Sequence, residues 1–310
     1  MALKKSSSKR AQAEVEIPFW QEAFCGIDLV MLHASPICYG IGVPHGDNSA
    51  VILIPGFLGS DRYLTQLYSW LEHVGYKPYS SGIKLNAECP NLLIRYRLNE
   101  IIDRALDETG RQVHIIGHSL GGIIARSIAH QRPKDVASVI TLAAAFRGSI
   151  QHSLHSVVLR AAEIVRKQIL QEHGPQVLPS CYTAHCTCDF LSHLRGKISP
   201  SVLETAIYTR NDGVVDWRYC VTGNPDVDFE VSGTHLGLVF NPSVYKVIAT
   251  RLALAHPRKY ESRDDQRCSF IQIQAVGSAP ALSGPKRRPE SGGKRRFSNA
   301  CSTLMDKRPL

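Results

Sequence analysis

The sequence predicts an α/β fold with a mostly parallel central sheet flanked by helices, carrying a helical cap insertion. Three observations carry that prediction. Short apolar, β-branched runs alternate along the chain with amphipathic stretches of helical period, the pattern of successive βα units. Gly117-His118-Ser119-Leu120-Gly121-Gly122 lies between one such run, Val113-His114-Ile115-Ile116, and one such helix, Ile123 to Ala129. About sixty residues then separate the strand-like runs Val139–Ala143 and Leu203–Tyr208, more than a crossover needs.

Taken in order, residues 38–43 and 50–54 flank the turn-rich Pro44-His45-Gly46-Asp47-Asn48, which predicts an antiparallel hairpin at the start of the sheet. Val51–Ile54 runs into Pro55-Gly56-Phe57-Leu58-Gly59 and then into Leu64, Leu67, Leu71 and Val74 at helical spacing, so it reads as a buried strand, a loop and a helix. Asn91 to Thr109 is helical by the spacing of Leu93, Ile94, Leu98, Ile101, Ile102 and Ala105. In the insertion, Ser156 to Gln171 sets Val158, Ala161, Ala162, Val165 and Ile169 against a basic face of Arg160, Arg166 and Lys167. Such a helix either shelters a pocket from water or packs on the core. A strand from Asp228 and a last helix, Pro242 to Ala255, complete the alternation. No internal repeat is present.

The chemistry is concentrated at strand ends. A G-x-S-x-G between strand and helix puts its serine on a cramped turn, where small residues two before and two after let the backbones approach; the same letters also fit an ordinary glycine-rich turn. In acyl-transfer enzymes the loop after an earlier strand donates one backbone N–H to a developing oxyanion and the residue after the nucleophile donates the other, which points to the amides of Phe57 and Leu120. Asp212 lies just past the strand Leu203–Tyr208, with Gly213 allowing a tight reversal. Asp216 competes in the same loop, but Val214 and Val215 should pack the loop down and carry Asp216 beyond the turn, which favours Asp212. Asx-turn formation is the plain alternative for either. His235, one of thirteen histidines, follows the Asp228 strand and a small-residue turn. Ser119, Asp212 and His235 therefore occur in the order Ser, Asp, His.

With these segments the chain resembles the lipase and esterase branch of the α/β-hydrolase family, especially bacterial lipases with a P/H-G-[FM]-L-G loop and a GHS-x-GG elbow, over roughly residues 38–256. The resemblance implies Ser119 as nucleophile, His235 as general base and then acid, Asp212 as its orienter, and the Phe57 and Leu120 amides as oxyanion hole. It implies hydrolysis of an ester or lipid through an acyl-enzyme, with no cofactor and no metal. Acyl transfer to an alcohol, or a hydrolase-fold binding protein without activity, are the rival readings. In one departure, Pro55 stands where many lipases have a histidine, so any brace that histidine supplies is missing.

Composition bounds the rest. With 44% hydrophobic residues, the stretch 15–256 is sufficient for one α/β domain, with the cap at about 146–202. Of the formal charge of +9, the first ten residues carry +4 and residues 257–310 carry +7, leaving the part between at −2. Residues 1–14 and 257–310 read as disordered basic ends, the latter with Lys286-Arg287-Arg288 and Lys294-Arg295-Arg296 and an isolated strand-like stretch, Phe270 to Val276. Weak contact of the tail with an anionic membrane surface is one expectation and a specific nucleic-acid partner is not; oligomeric state is left open. Glu14, Glu16, Gln21, Glu22 and Asp28 interrupt any apolar core of a leader after Met1–Arg10, and no run is long enough to span a bilayer, so a cytoplasmic chain, with peripheral membrane contact at most, is expected. Nine cysteines at scattered positions argue against a complete disulfide framework. Cys181, Cys186 and Cys188 surround His185 in the cap without the paired spacing of common zinc sites. A disulfide from this cluster to Cys220, tying cap to acid loop, is expected in an oxidising compartment, and free buried thiols are the plainer reading.

Overall fold

Short runs rich in β-branched residues become the inner strands of a six-stranded sheet. A computed structural model describes residues 19–147, 153–183 and 185–260. The strands are β1 (Ala50–Ile54), β2 (Lys77–Ser80), β3 (Val113–His118), β4 (Val136–Leu142), β5 (Leu203–Tyr208) and β6 (Asp228–Glu230), in spatial order β2-β1-β3-β4-β5-β6 with every pairing parallel. β1, β3 and β4 are buried along their whole length, as a sheet covered on both faces requires.

The expected hairpin is absent. Residues Pro36–Tyr39 form a 3-10 turn instead, and Gly40 and Gly42 follow with φ of 73° and 78°, a left-handed backbone that no strand can contain. The sheet is consequently parallel throughout, and β2 forms the edge beside β1.

Eight helices alternate with the strands among the described residues: α1 (Cys25–Ala34), α2 (Thr65–His73), α3 (Pro90–Leu93), α4 (Asn99–Thr109), α5 (Leu120–Gln131), α6 (Ser156–His173), α7 (Asp189–Leu194) and α8 (Pro242–Leu254). A π-helical turn, Ile94–Leu98, joins α3 to α4, so the helical span read from the apolar spacing is continuous. The period-2 alternation of β1 sends Ala50, Ile52 and Ile54 to one face, against α3–α5 and α7, and Val51 and Leu53 to the other, against α1, α2 and α8. Each fully buried Ile or Leu in these layers contributes roughly 1.5–3 kcal/mol relative to exposure. Among the described residues no helix is long and apolar enough to cross a membrane.

β1 is followed by β2 on one side and β3 lies on the other, so strand order reverses between β1 and β3. Their carboxyl ends diverge there, which is where open α/β sheets form ligand crevices. The register Ile54↔Gly117 sets the loops after β1 and β3 side by side.

Of the expected ends, 1–14 and 257–310, residues 1–14 and 261–310 lie outside the described residues, including Phe270 to Val276 and the two basic triplets. Residues 257–260 do not: Gln112 N donates to Arg258 O (2.9 Å), Tyr260 N to Gly110 O (2.8 Å) and Arg258 N to Gln112 Oε1 (3.0 Å). A chain cut after His256 is therefore expected to melt on the order of 5 °C below one cut after Tyr260, since each lost hydrogen bond is worth about 1 kcal/mol. Calorimetry of the two truncations checks this; equal melting temperatures would show that the bonds carry no stability.

Candidate functional site

Ser119 is held between β3 and α5 with φ 53° and ψ −121°, a backbone that costs a side-chain-bearing residue about 1–3 kcal/mol. Close packing enforces it. A Cβ on Gly117 would lie 2.2 Å from Gly121 O, and one on Gly121 would lie 2.2 Å from Ile54 O, so neither position accepts a side chain. Leu58 (φ 57°) and Ala143 (φ 48°), after β1 and β4, share the left-handed backbone, so three such residues gather along one edge of the sheet. Ser119 N donates to Leu142 O (2.8 Å), which commits that amide to the sheet.

The loop after β1 presses against this turn. A Cβ on Gly56 would come within 3.0 Å of both Ser119 Cβ and His118 Nδ1. Asn86, fully buried, braces the loop: its Nδ2 donates to Pro55 O (2.8 Å), its N to Gly59 O (2.8 Å), and its carbonyl accepts from Leu58 N (2.9 Å). The histidine brace that Pro55 cannot provide is thus replaced from a distant segment. Phe57 and Leu120, whose amides the sequence singled out, flank the same cavity as Ser119.

Asp212 and His235 come together from the loops after β5 and β6. His235 Nδ1 lies 2.8 Å from Asp212 Oδ2, with both side chains buried. Asp212 Oδ1 meanwhile accepts from Val214 N (2.9 Å) and Val215 N (2.7 Å), so the Asx turn and the histidine contact coexist, one on each oxygen. Asp216 is engaged elsewhere, capping Arg218 N (3.1 Å) and ion-pairing with the Arg218 guanidinium. Burial pulls the His235 imidazole towards lower pKa, but the Asp212 charge and hydrogen bond, with the Glu22 charge, outweigh it and leave the ring above its ordinary value.

Three positioning residues escaped the sequence reading. Glu22, in a 3-10 turn at Phe19–Phe24, accepts from Gly213 N (2.8 Å) and His235 N (3.0 Å) through Oε1 and from Leu236 N (2.8 Å) through Oε2. One carboxylate thereby staples the acid loop to the histidine loop. Asp28 accepts from Asn241 Nδ2 (3.0 Å), whose Nδ2 also donates to Ser232 O (2.7 Å). His118 Nε2 bonds His235 O (2.9 Å), and burial, then the neighbouring His235, push its pKa down to about 3. His118 is therefore neutral, and donation from Nε2 leaves Nδ1 as a buried atom without a hydrogen bond. Glu22→Gln keeps one acceptor oxygen but turns an NH₂ towards an N–H donor. It is expected to lower stability by about 2–3 kcal/mol, read as a lower urea midpoint; an unchanged midpoint would remove the staple.

Ser119, His118 and His235 face one cavity of about 560 Å³, within the range of small-molecule sites. Val158, Ala161 and Ala162 of α6 line it, while Val165 and Ile169 pack with Val177 and Cys181 in a small apolar cluster separate from the sheet's two core layers. Its basic face is not wholly solvated: Arg166 donates to Cys181 O (3.1 Å) and Pro179 O (2.8 Å). The cap meets the acid loop through backbone rather than sulfur. His155 N donates to Val214 O (2.8 Å) and Asp216 N to Ser153 O (2.9 Å), with Leu154 bridging Val215. Cys220 packs with Tyr208 and Val215, whereas Cys181 lies 3.4 Å from Cys89, so the expected pairing with Cys220 is replaced by a neighbour from the loop before α3. Among the described residues, no three His, Cys, Asp or Glu side chains gather where they could hold a metal ion.

The model of the alpha/beta hydrolase fold matches residues 51–190, from β1 through the elbow into the cap. The chain has the α/β-hydrolase fold. It is similar to a triacylglycerol lipase of Burkholderia plantarii, 28% identical over 196 residues, which is 57% of this chain and 52% of that one. It is similar also to a triacylglycerol lipase of Pseudarthrobacter phenanthrenivorans, 29% identical over 179 residues, 52% of this chain and 53% of that one. The chain thus spans about half the length of the curated relatives it matches. Among solved structures, a soluble variant of monoglyceride lipase from Saccharomyces cerevisiae with a substrate analog aligns with TM-score 0.46 and 16% identity, over 69% of this chain and 90% of that one.

Proposed function

We propose that the chain is a serine carboxylic-ester hydrolase of the esterase and lipase type. The observation that carries this reading is the buried 2.8 Å contact between His235 Nδ1 and Asp212 Oδ2, on an apolar cavity that Ser119 also faces from a strained strand-to-helix turn. Asp212 accepts a hydrogen bond from Nδ1–H, so Nε2 is the unprotonated nitrogen and acts as base towards Ser119. The serine oxygen attacks the ester carbonyl, and the Phe57 and Leu120 amides hold the oxyanion. His235 then gives its proton to the leaving alcohol, and water repeats the cycle on the acyl-enzyme. A ring whose pKa is raised by Asp212 is suited to holding the imidazolium that forms at each tetrahedral stage.

Neutral His118 contributes by bonding the His235 carbonyl without adding a second positive charge beside the ring. The apolar lining and the likeness to triacylglycerol lipases both favour an ester with an apolar acyl chain. The fold and the site call for no cofactor. A panel of p-nitrophenyl esters of rising chain length tests the reading: rates above background that increase beyond acetate are expected, and absence of turnover with every ester would contradict it. Product analysis with added methanol decides between water and an alcohol as acyl acceptor.

A further inference from the structure

Four thiols that take no part in the proposed chemistry line the same cavity. Cys89 precedes α3, and Cys181, Cys186 and Cys188 belong to the cap; all four line the cavity. Cys181 Sγ donates to Cys89 Sγ at 3.4 Å across 92 residues of chain, and both are buried. We propose that Cys89 and Cys181 form a reversible disulfide, a site of oxidation by small hydroperoxides that enter the cavity.

The geometry supplies each requirement. Among the described residues the cysteines are free thiols, so the pair is in its reduced form. A disulfide needs its sulfurs at about 2.0 Å, a closing movement of little more than 1 Å between two segments already in one apolar cluster with Val165, Ile169 and Val177. Access comes through the cavity, whose lining includes the exposed Leu58, Val157 and Leu236. The hydrogen bond from Cys181, against burial and aided by the amides of Leu92 and Asn91, holds Cys89 down to about 6, whereas the same bond and burial push Cys181 up. Cys89 is therefore the attacking sulfur and Cys181 the resolving one.

The chemistry balances. Cys89 thiolate attacks one peroxide oxygen, the O–O bond breaks, and the departing alkoxide or hydroxide takes up a proton, leaving Cys89 as a sulfenic acid. Cys181 sulfur then attacks Cys89 Sγ, and the sulfenic hydroxyl leaves with the Cys181 proton as water. Two thiols lose two electrons, and one hydroperoxide is reduced to an alcohol and water. The bond would tie the cap segment that carries Tyr182, whose ring lies 6.1 Å from that of Phe57, to the segment just before α3.

The test is non-reducing peptide mass spectrometry of the full-length reduced protein after brief hydrogen peroxide treatment and alkylation. The expected result is a Cys89 peptide joined to a Cys181 peptide with loss of two hydrogens, reversed by dithiothreitol. A rise in Tm on the order of 10 °C should accompany it, given the long loop closed, and should vanish in Cys181→Ser. Recovery of Cys89 and Cys181 both alkylated, a bond between Cys186 and Cys188 instead, or about one thiol-bound zinc per purified chain would each overturn the proposal. None of these readouts depends on ester hydrolysis, so their failure and that of the proposed function are distinguishable.

Discussion

Replacing Ser119 with alanine is expected to lower kcat for p-nitrophenyl ester hydrolysis by about 10⁴ to 10⁶ while the protein stays folded. The size follows from the role: with no nucleophile there is no acyl-enzyme, and only binding and oxyanion contacts remain to accelerate attack by water. Folding should survive because the side chain is half-buried at the cavity and the elbow is enforced by Gly117 and Gly121 rather than by the hydroxyl. Loss of the left-handed strain does not follow either, since alanine carries the same Cβ. Circular dichroism and steady-state kinetics on the same preparation check both halves; activity within tenfold of the parent would remove Ser119 from the mechanism.

Asp212→Asn should cost roughly 10⁴ in kcat, because an amide that donates towards Nδ1 fixes the wrong imidazole tautomer. Asp216→Asn should change kcat by only a few-fold, because that carboxylate serves Arg218. The pH profile adds a sign. Activity needs neutral His235, so kcat/KM should fall as pH drops through a pKa above the ordinary value of about 6.5. In Asp212→Asn the charge that raises this pKa is gone and burial, which lowers it, remains, so the acidic limb should move to lower pH. Profiles measured for both variants check this; a reversed pair of kcat losses would make Asp216 the orienting acid.

The parts that were legible in the sequence share one property: their physics is local. β1, β3 and β4 announce themselves as β-branched runs, and the elbow as small residues around a serine between strand and helix. Asp212 could be singled out because it follows a strand end and precedes a glycine, and His235 because it follows a strand and a small-residue turn. The parts that were not legible depend on partners far along the chain. Glu22 and Asp28 read as charges that interrupt an apolar stretch, yet Glu22 is buried by amides 191 to 214 residues away. Nothing near Asn86 signals that it braces Pro55, and His118 is an unremarked letter of the elbow until the His235 carbonyl meets it. β2, Lys77-Pro78-Tyr79-Ser80, lacks an apolar run and carries a proline, which an edge strand tolerates. The hairpin was misread because turn-forming residues at 44–48 say nothing of the backbone before them, where Gly40 and Gly42 take left-handed conformations.

The proposed activated nucleophile is Ser119, in a site completed by His235 and Asp212. Intact-mass and peptide mass spectrometry after treatment with an active-site-directed fluorophosphonate tests it most directly, because the reagent traps a serine only where a base and oxyanion donors already act on it. One adduct per chain is expected, on Ser119, absent in Ser119→Ala and formed far more slowly in His235→Ala. An unlabelled chain, or an adduct on any other serine, would contradict it.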